Sequence, residues 1–433
     1  MGQVARVVSG LLLLTALVPA SVYGFDRFGS QSSDATYGKA ITFNIELVGG
    51  APDRLELVMH VGGGQDDVVT TVTPRGSTAS YAWDVAADHV TPNTRITYRW
   101  RAIDGGKVTI GPEGSVLYDD DRPGLDWRSL SFDATTVHWY GDAETQARRF
   151  GDLSNGAVQR AEKLLGYKLS GPVDIFVYQT RAAFFDALGA GAREWTGAAT
   201  FPNLRTIFMY LEGQGEAYLD RALVHELTHV VFHDATANPY HEPARWLNEG
   251  IAVRSETGDA GSERSTVEFE ARGGGLFAFE SLVDQFPIGD RGSTLAYAEG
   301  TTMIDTIIDQ HGPEAIARIA GAYRAGASDA EALQAGTGIT ARKLYDDFYA
   351  AFGVHPPQPV AAAALLPSDV KLPAGGLPSR SGRASTPTPG ADASPAGPSS
   401  AGAPVVVAVL GLSALLAFGF ALFVRRRAAR RDG

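Results

Sequence analysis

The sequence contains no cysteine among its 433 residues. This absence excludes a disulfide-stapled scaffold, a cysteine-ligated zinc finger, an iron–sulfur protein and any enzyme with a cysteine nucleophile. Positive charge is also scarce, because 37 lysine and arginine residues face 49 aspartate and glutamate residues, which leaves a formal charge of −12. This acidic balance argues against nucleic acid as the main partner.

Residues 1–24 have the pattern of a secretory signal peptide. Arg6 supplies a positive start, residues 7–18 are mostly apolar, and Val22-Tyr23-Gly24 places small residues at a cleavage point after Gly24. An uncleaved anchor is the alternative. We therefore expect an exported protein.

Residues 405–424 form an uncharged apolar run that is followed at once by five arginines within residues 425–433. A helix of this length spans the bilayer core of about 30 Å. The positive-inside rule places the basic tail in the cytoplasm and the preceding chain outside. This pattern predicts a cell-membrane protein with one C-terminal transmembrane helix. A buried core helix and a wall-sorting signal are the alternatives.

Residues 356–404 contain 11 of the 23 prolines and no aromatic residue. Such a composition cannot bury enough apolar surface to fold. We expect a disordered stalk that holds the folded part of the chain away from the membrane.

Residues 25–130 show alternating polar and apolar runs that are separated by glycine, proline, aspartate and asparagine. Six short strands in this length predict an all-β immunoglobulin-like sandwich, with Trp83, Tyr98 and Trp100 in its core. The acidic run at 119–121 lacks the glycine and the distal glutamate of a calcium loop and predicts a solvated linker. The expected strands are residues 40–47, 55–61, 68–72, 80–85, 95–103 and 107–110.

Residues 131–355 predict an α+β domain with its helices gathered toward the C-terminal half. Helical spacing covers residues 143–165, with a possible break at Asn155-Gly156. The other expected helices are residues 181–188, 217–233, 244–256 and 296–310, and the expected strands are residues 173–178 and 206–211.

The helix expected over residues 217–233 contains the sequence H-E-L-T-H at positions 225–229. His225 and His229 are one turn apart on the same face, so both imidazoles can reach one metal ion. Neutral imidazole suits Zn²⁺. Glu226 is offset by about 100° around the helix and can contact a metal-bound water without ligating the metal. A pair of satisfied core histidines is the alternative reading.

A catalytic zinc site needs a third protein ligand and an open position for water. The sequence W-L-N-E-G at positions 246–250 follows, with 19 residues between His229 and Glu249. A second helix that returns beside the first can deliver Glu249 as this ligand.

This combination resembles the gluzincin metallopeptidases. The wording W-L-N-E-G is similar to the aminopeptidase-N-like branch, and the spacing to the thermolysin-like branch. The wider layout resembles the bacterial peptidase MA-like domains: a strand and helix at 173–188, a G-x-x-x-x-P-N-x-x-x-I stretch from Gly197 to Ile207, and Tyr297-Ala298-Glu299-Gly300 after the zinc helix. The resemblance covers roughly residues 145–350 and implies a zincin-like fold.

The resemblance implies that His225, His229 and Glu249 bind Zn²⁺ and that Glu226 is the general base of a peptide hydrolase. It places the strand at 206–211 at the edge of the cleft, where an extended peptide can pair with it. It also implies a downstream tyrosine or histidine that stabilises the developing charge. Tyr297 is the first candidate for this role, with His241 and Tyr240 as alternatives.

Two positions depart from the family pattern. Val253 stands where thermolysin-like enzymes place an aspartate that orients a ligand histidine, so another group, such as a backbone carbonyl, must do this. The stretch from Gly197 to Asn203 lacks the glutamate with which aminopeptidases bind a free N-terminus. These features favour a membrane-anchored extracellular zinc endopeptidase. A degenerate peptidase fold that acts as a surface binding or sensory module is the alternative.

Overall fold

The computed structural model describes residues 27–62, 67–88, 90–189, 197–287 and 289–359. The expected signal peptide, transmembrane helix, basic tail and nearly all of the stalk lie outside these residues. No helix within the described ranges has the length and apolar character needed to cross a membrane.

The described chain divides into two compact units. The first unit holds the described residues up to Val61 together with residues 67–84 and Arg95–Leu117, and nearly all the rest belongs to the second unit. Its strands are β1 (Phe28–Thr36), β2 (Ala40–Leu47), β3 (Arg54–Val61), β4 (Asp67–Thr71), β5 (Thr78–Asp84), β6 (Thr94–Asp104), β7 (Lys107–Ile110) and β8 (Gly114–Tyr118).

The first unit contains two antiparallel sheets. One sheet has the order β1-β2-β5, and the other has the order β4-β3-β6-β7, with β8 also paired to β6. Alternate residues of each strand point to opposite faces, and the apolar set is buried. Phe43 of β2 meets Tyr98 of β6 edge-on at 4.8 Å, so the two sheets pack face to face. Trp83, Tyr98 and Trp100 are buried, which confirms the expected core.

The second unit is built on a five-stranded sheet of order β12-β13-β11-β10-β9. The inner strands β10, β11 and β13 are parallel to one another, and the two edge strands are antiparallel to their neighbours. The strands are β9 (Arg128–Ser131), β10 (Thr135–Trp139), β11 (Val173–Tyr178), β12 (Ala198–Phe201) and β13 (Thr206–Tyr210).

Nine helices of the described chain accompany this sheet. One sheet face, with Ile175 and Val177, belongs to the large core with α1 and α3; the other, with Phe176 and Tyr178, packs against α2. The helices are α1 (Glu144–Leu165), α2 (Arg181–Leu188), α3 (Glu216–Thr236), α4 (Arg245–Thr257), α5 (Gly261–Ala271), α6 (Asp290–His311), α7 (Glu314–Arg324), α8 (Asp329–Thr337) and α9 (Ala341–Ala351).

Three local expectations are wrong. Helix α1 runs unbroken through Asn155-Gly156, because the Asn155 side chain accepts a hydrogen bond from the Ala134 amide instead of interrupting the helix. The strand at 206–211 is internal, and β12 forms the sheet edge. Asp120 is fully buried, since its carboxylate binds Arg122 and the Tyr178 hydroxyl.

Candidate metal and catalytic centre

Helix α3 carries His225, Glu226 and His229 in the interior of the second unit. The apolar residues around them, such as Leu223, Leu227 and Val230, are fully buried. This packing, more than helix propensity, fixes the helix in place. The two imidazole rings lie 4.6 Å apart and nearly perpendicular. Buried ionisable groups are costly unless they have partners, so this helix requires polar neighbours.

Helix α4 returns beside α3 and brings Glu249 to the two histidines. His225 Nε2 and His229 Nε2 each lie 3.5 Å from Glu249 Oε2. Tetrahedral zinc with bonds of about 2.0–2.1 Å separates neighbouring ligand atoms by about 3.4 Å. Among the described residues, this is the group of three histidine and acidic side chains whose ligand atoms converge within 4.8 Å. Its donor set and spacing fit Zn²⁺.

The second oxygen of Glu249 is held by an arginine from the same helix. Arg245 Nη2 lies 3.3 Å from Glu249 Oε1, one turn away. Burial alone would raise the pKa of Glu249, but His229, His225 and Arg245 together hold it well below its usual range. Glu249 is therefore kept as a carboxylate with Oε2 facing the histidines.

The outer nitrogens of both histidines also have partners. Glu256 Oε1 lies 2.6 Å from His225 Nδ1, and Asn248 Oδ1 lies 2.8 Å from His229 Nδ1. Such contacts fix the ring orientation and leave Nε2 for the metal. The orienting group that is missing at Val253 is therefore supplied by the Glu256 carboxylate, and the suggested backbone carbonyl is wrong. Glu256 lies two turns beyond Glu249 on α4.

A close crossing of α4 and α6 sets the position of Glu249. A Cβ atom on Gly250 would lie 2.6 Å from the backbone of Gly300, and one on Gly300 would lie 2.6 Å from the Trp246 carbonyl oxygen. The two glycines therefore allow backbone-to-backbone contact, which no larger residue permits. This contact places Tyr297, one turn before Gly300, near the metal-ligand group.

Tyr297 lies beside Arg245 and Glu249. Burial, followed by the negative charge of Glu249, raises the pKa of Tyr297 well above its ordinary value, and a hydrogen bond with Arg245 opposes this rise. Phe286 packs edge-on against the ring at 5.0 Å. The phenol therefore stays protonated, as a hydrogen-bond donor must.

The alternatives to Tyr297 are engaged elsewhere or exposed. His241 Nε2 lies 3.1 Å from Asp329 Oδ1, and its ring stacks on Tyr323. Tyr240 is 84% exposed. His233 is half-buried and is not a member of the metal-ligand group.

Glu226 receives a hydrogen bond from the edge strand. The Thr200 hydroxyl donates to Glu226 Oε2, and both side chains are buried. Burial raises the pKa of Glu226 above its ordinary value, and the two histidines and Thr200 oppose this rise. The base is therefore held at a defined place beside the metal ligands.

Sequence reasoning missed four of these residues. Arg245 and Asn248 flank Glu249 at one-turn and adjacent positions, and Glu256 follows at two turns, so helical spacing around Glu249 was an available signal. Thr200 carried no such signal, because its partner is distant in sequence.

Comparison with known families bears on this second unit. Residues 154–352 match the model of the Peptidase MA superfamily. This domain belongs to that superfamily. No curated protein matches the chain.

Solved structures also show similarity to the Peptidase MA chain. An M1 zinc metallopeptidase from Deinococcus radiodurans is 13% identical, with 74% of this chain and 91% of that chain covered and a TM-score of 0.34. An aminopeptidase N family protein from Idiomarina loihiensis is 10% identical, with 68% and 70% covered and a TM-score of 0.33. These values are too low for either structure to say anything about the activity of this chain.

Proposed function

We propose that the protein is a zinc-dependent peptidase. The observation that carries this proposal is the placement of Glu226 next to two histidines and a glutamate whose ligand atoms converge. A bound Zn²⁺ would be held by His225, His229 and Glu249, and would lower the pKa of water and polarise the scissile carbonyl.

The side chains of this unit then have defined tasks. Glu226 takes a proton from the attacking water at Oε1, since Thr200 holds Oε2, and passes the proton to the leaving amine. Tyr297 donates a hydrogen bond to the oxygen on which negative charge develops. Strand β12 is the edge along which an extended peptide can pair.

An endopeptidase agrees best with the charges around the site. A free amino terminus needs a carboxylate that is not already engaged. The acids that contact the ligand histidines or sit beside them are all occupied: Glu226 by Thr200, Glu249 by Arg245 and Glu256 by His225. We therefore assign internal peptide bonds as the substrate.

The location and the first unit complete the proposal. The apolar runs at 1–24 and 405–424 and the arginines after them support an exported domain on a single-pass membrane anchor. The pairing of β2 with β5 rather than β3 supports an immunoglobulin-like sandwich for the first unit.

The proposal is tested with the zinc-loaded chain and a peptide library that contains both free and acetylated N-termini. The wild type is expected to cut both forms at internal bonds. Glu226→Gln is expected to keep its zinc and to lose activity by about 10²- to 10⁴-fold, because the proton acceptor is lost. Equal cleavage by wild type and Glu226→Gln would refute the mechanism. Release of single N-terminal residues from free peptides alone would show an aminopeptidase.

A further inference from the structure

Thr200 is a polar residue in an otherwise apolar strand. Alternate side chains of a strand point to opposite faces. Ala198 belongs to the core that contains α3, whereas Ala199 and Phe201 belong to the aromatic cluster on the other side of the sheet. Thr200 therefore faces α3, at the edge of the sheet, where strand β12 passes the metal-ligand helix.

The Thr200 hydroxyl is placed by two rigid elements. Strand β12 is paired with β13, and Thr200 lies opposite Ile207. A β-branched side chain has few χ1 rotamers, so its hydroxyl position follows the backbone. On the other side, Glu226 projects from a helix that is buried along most of its length. The contact between them joins the sheet edge to the general base.

Only one oxygen of Glu226 is used by this contact. The hydroxyl donates to Oε2, and a hydrogen bond to a carboxylate is stronger than one between neutral groups. The bond therefore selects one orientation of the carboxylate and directs Oε1 away from β12. A general base must lie within hydrogen-bond reach of the proton that it takes.

We propose that Thr200 is a positioning residue for Glu226, which fixes the carboxylate so that Oε1 meets the reacting water. This inference rests on the proposed peptidase function. Thr200 acts through Glu226 and needs no contact with the metal or the substrate. A merely structural role, in which the hydroxyl only compensates the burial of Glu226, would affect stability without affecting turnover or the carboxylate orientation.

Three variants of the full zinc-loaded chain separate these roles. Thr200→Val keeps the shape and loses the donor, whereas Thr200→Ser keeps the donor. Thr236→Val is the matched control, because it removes a buried hydroxyl from α3 that bonds to the Phe232 carbonyl oxygen. Zinc content is measured for each variant, and kcat and KM are measured on an internally quenched peptide that the wild type cuts.

Thr200→Val is expected to lower kcat by about 10- to 100-fold, as a small misplacement of a catalytic group does, with KM and zinc content unchanged. Thr200→Ser is expected to keep most of the wild-type kcat, and Thr236→Val all of it. Wild-type kcat in Thr200→Val, or an equal loss in Thr200→Ser, would overturn the proposal.

Crystal structures of the variants give a readout that does not depend on activity. The wild type and Thr200→Ser are expected to show one Glu226 conformer with Oε2 on residue 200, and Thr200→Val a displaced or divided one. An unchanged Glu226 in Thr200→Val would overturn the positioning role. If the zinc-loaded wild type cuts no peptide, the peptidase function fails, and this structural comparison still decides whether Thr200 orients Glu226.

Discussion

The two units of the chain bury different kinds of side chain. Within the described residues, the first unit has an apolar interior, and its buried ionisable side chain, Glu56, is paired with Arg54 and Arg101 near the surface. The second unit buries two histidines and several acids, including Glu226 and Glu249, in the middle of its core. The first arrangement can be stabilised by apolar burial alone, and the second cannot.

The difference teaches where function resides. A buried charge that has no partner costs several kcal/mol, so a group of such charges persists only when partners compensate it. In the second unit the partners are Arg245, Glu256, Asn248 and Thr200, together with the metal that the group fits. The stability of this unit should therefore depend on metal and on polar contacts, while that of the first should not.

Removal of the metal is expected to give the largest contrast. A ligand at about 1,000 times its dissociation constant stabilises the folded state by about 4 kcal/mol. Chelation with 1,10-phenanthroline should therefore speed amide exchange in α3 and α4 by up to about 1,000-fold. Exchange in β2 and β6 should not change. Hydrogen exchange read by mass spectrometry measures this, and the non-chelating 1,7 isomer is the control. Equal acceleration in both units would break the comparison.

The crossing of α4 and α6 gives the next largest effect. Gly250→Ala places a Cβ atom 2.6 Å from the Gly300 backbone, and overpacking of this kind costs about 1–3 kcal/mol. Gly321→Ala is the control, because a Cβ atom there meets nothing within 4 Å. It should stabilise α7 by up to about 1 kcal/mol. Urea unfolding measures both, and a tolerated Gly250→Ala would disprove the close approach.

Loss of an orienting carboxylate should act on metal affinity. Glu256→Gln weakens the contact with His225 Nδ1, and such changes lower metal affinity by about 10- to 100-fold. Competition with a chromophoric chelator measures this. Glu268→Gln, which changes an exposed acid on α5, should leave zinc affinity unaltered. The same affinity in both variants would mean that Glu256 does not orient the ligand.

The smallest effect is expected in the first unit. Arg99 and Glu113 form an exposed ion pair at 2.9 Å, and such pairs contribute little to stability. Arg99→Gln should therefore leave the urea midpoint within experimental error. A clear loss of stability would show that charge matters in both units.

The sequence predicted the features that have a strong period. The alternating strands β2 and β7 and the helices that carry H-E-L-T-H and W-L-N-E-G were placed within a few residues. Strand β12 was missed, because the four residues of A-A-T-F are all buried and show no alternation. Helix α8 was also missed, although its Ser328 and Glu331 form a capping box that sequence can show.

The candidate site was predictable to the same depth. Helical spacing brought His225, Glu226, His229 and Glu249 together, because it acts within one helix and across one turn. The contacts of Thr200 and Glu256 depend on how a sheet edge and a second helix pack against α3. Such packing is set by the whole core, and no local pattern encodes it. The catalytic role of Tyr297 stays a prediction.

Zinc content tests the metal centre most directly. Inductively coupled plasma mass spectrometry on the purified chain should find one zinc per wild-type molecule and one per Glu226→Gln molecule, since Glu226 is not a ligand. Glu249→Ala should retain little, because the third donor is lost while both histidines remain. Zinc bound as fully by Glu249→Ala as by the wild type would contradict the three-residue metal centre.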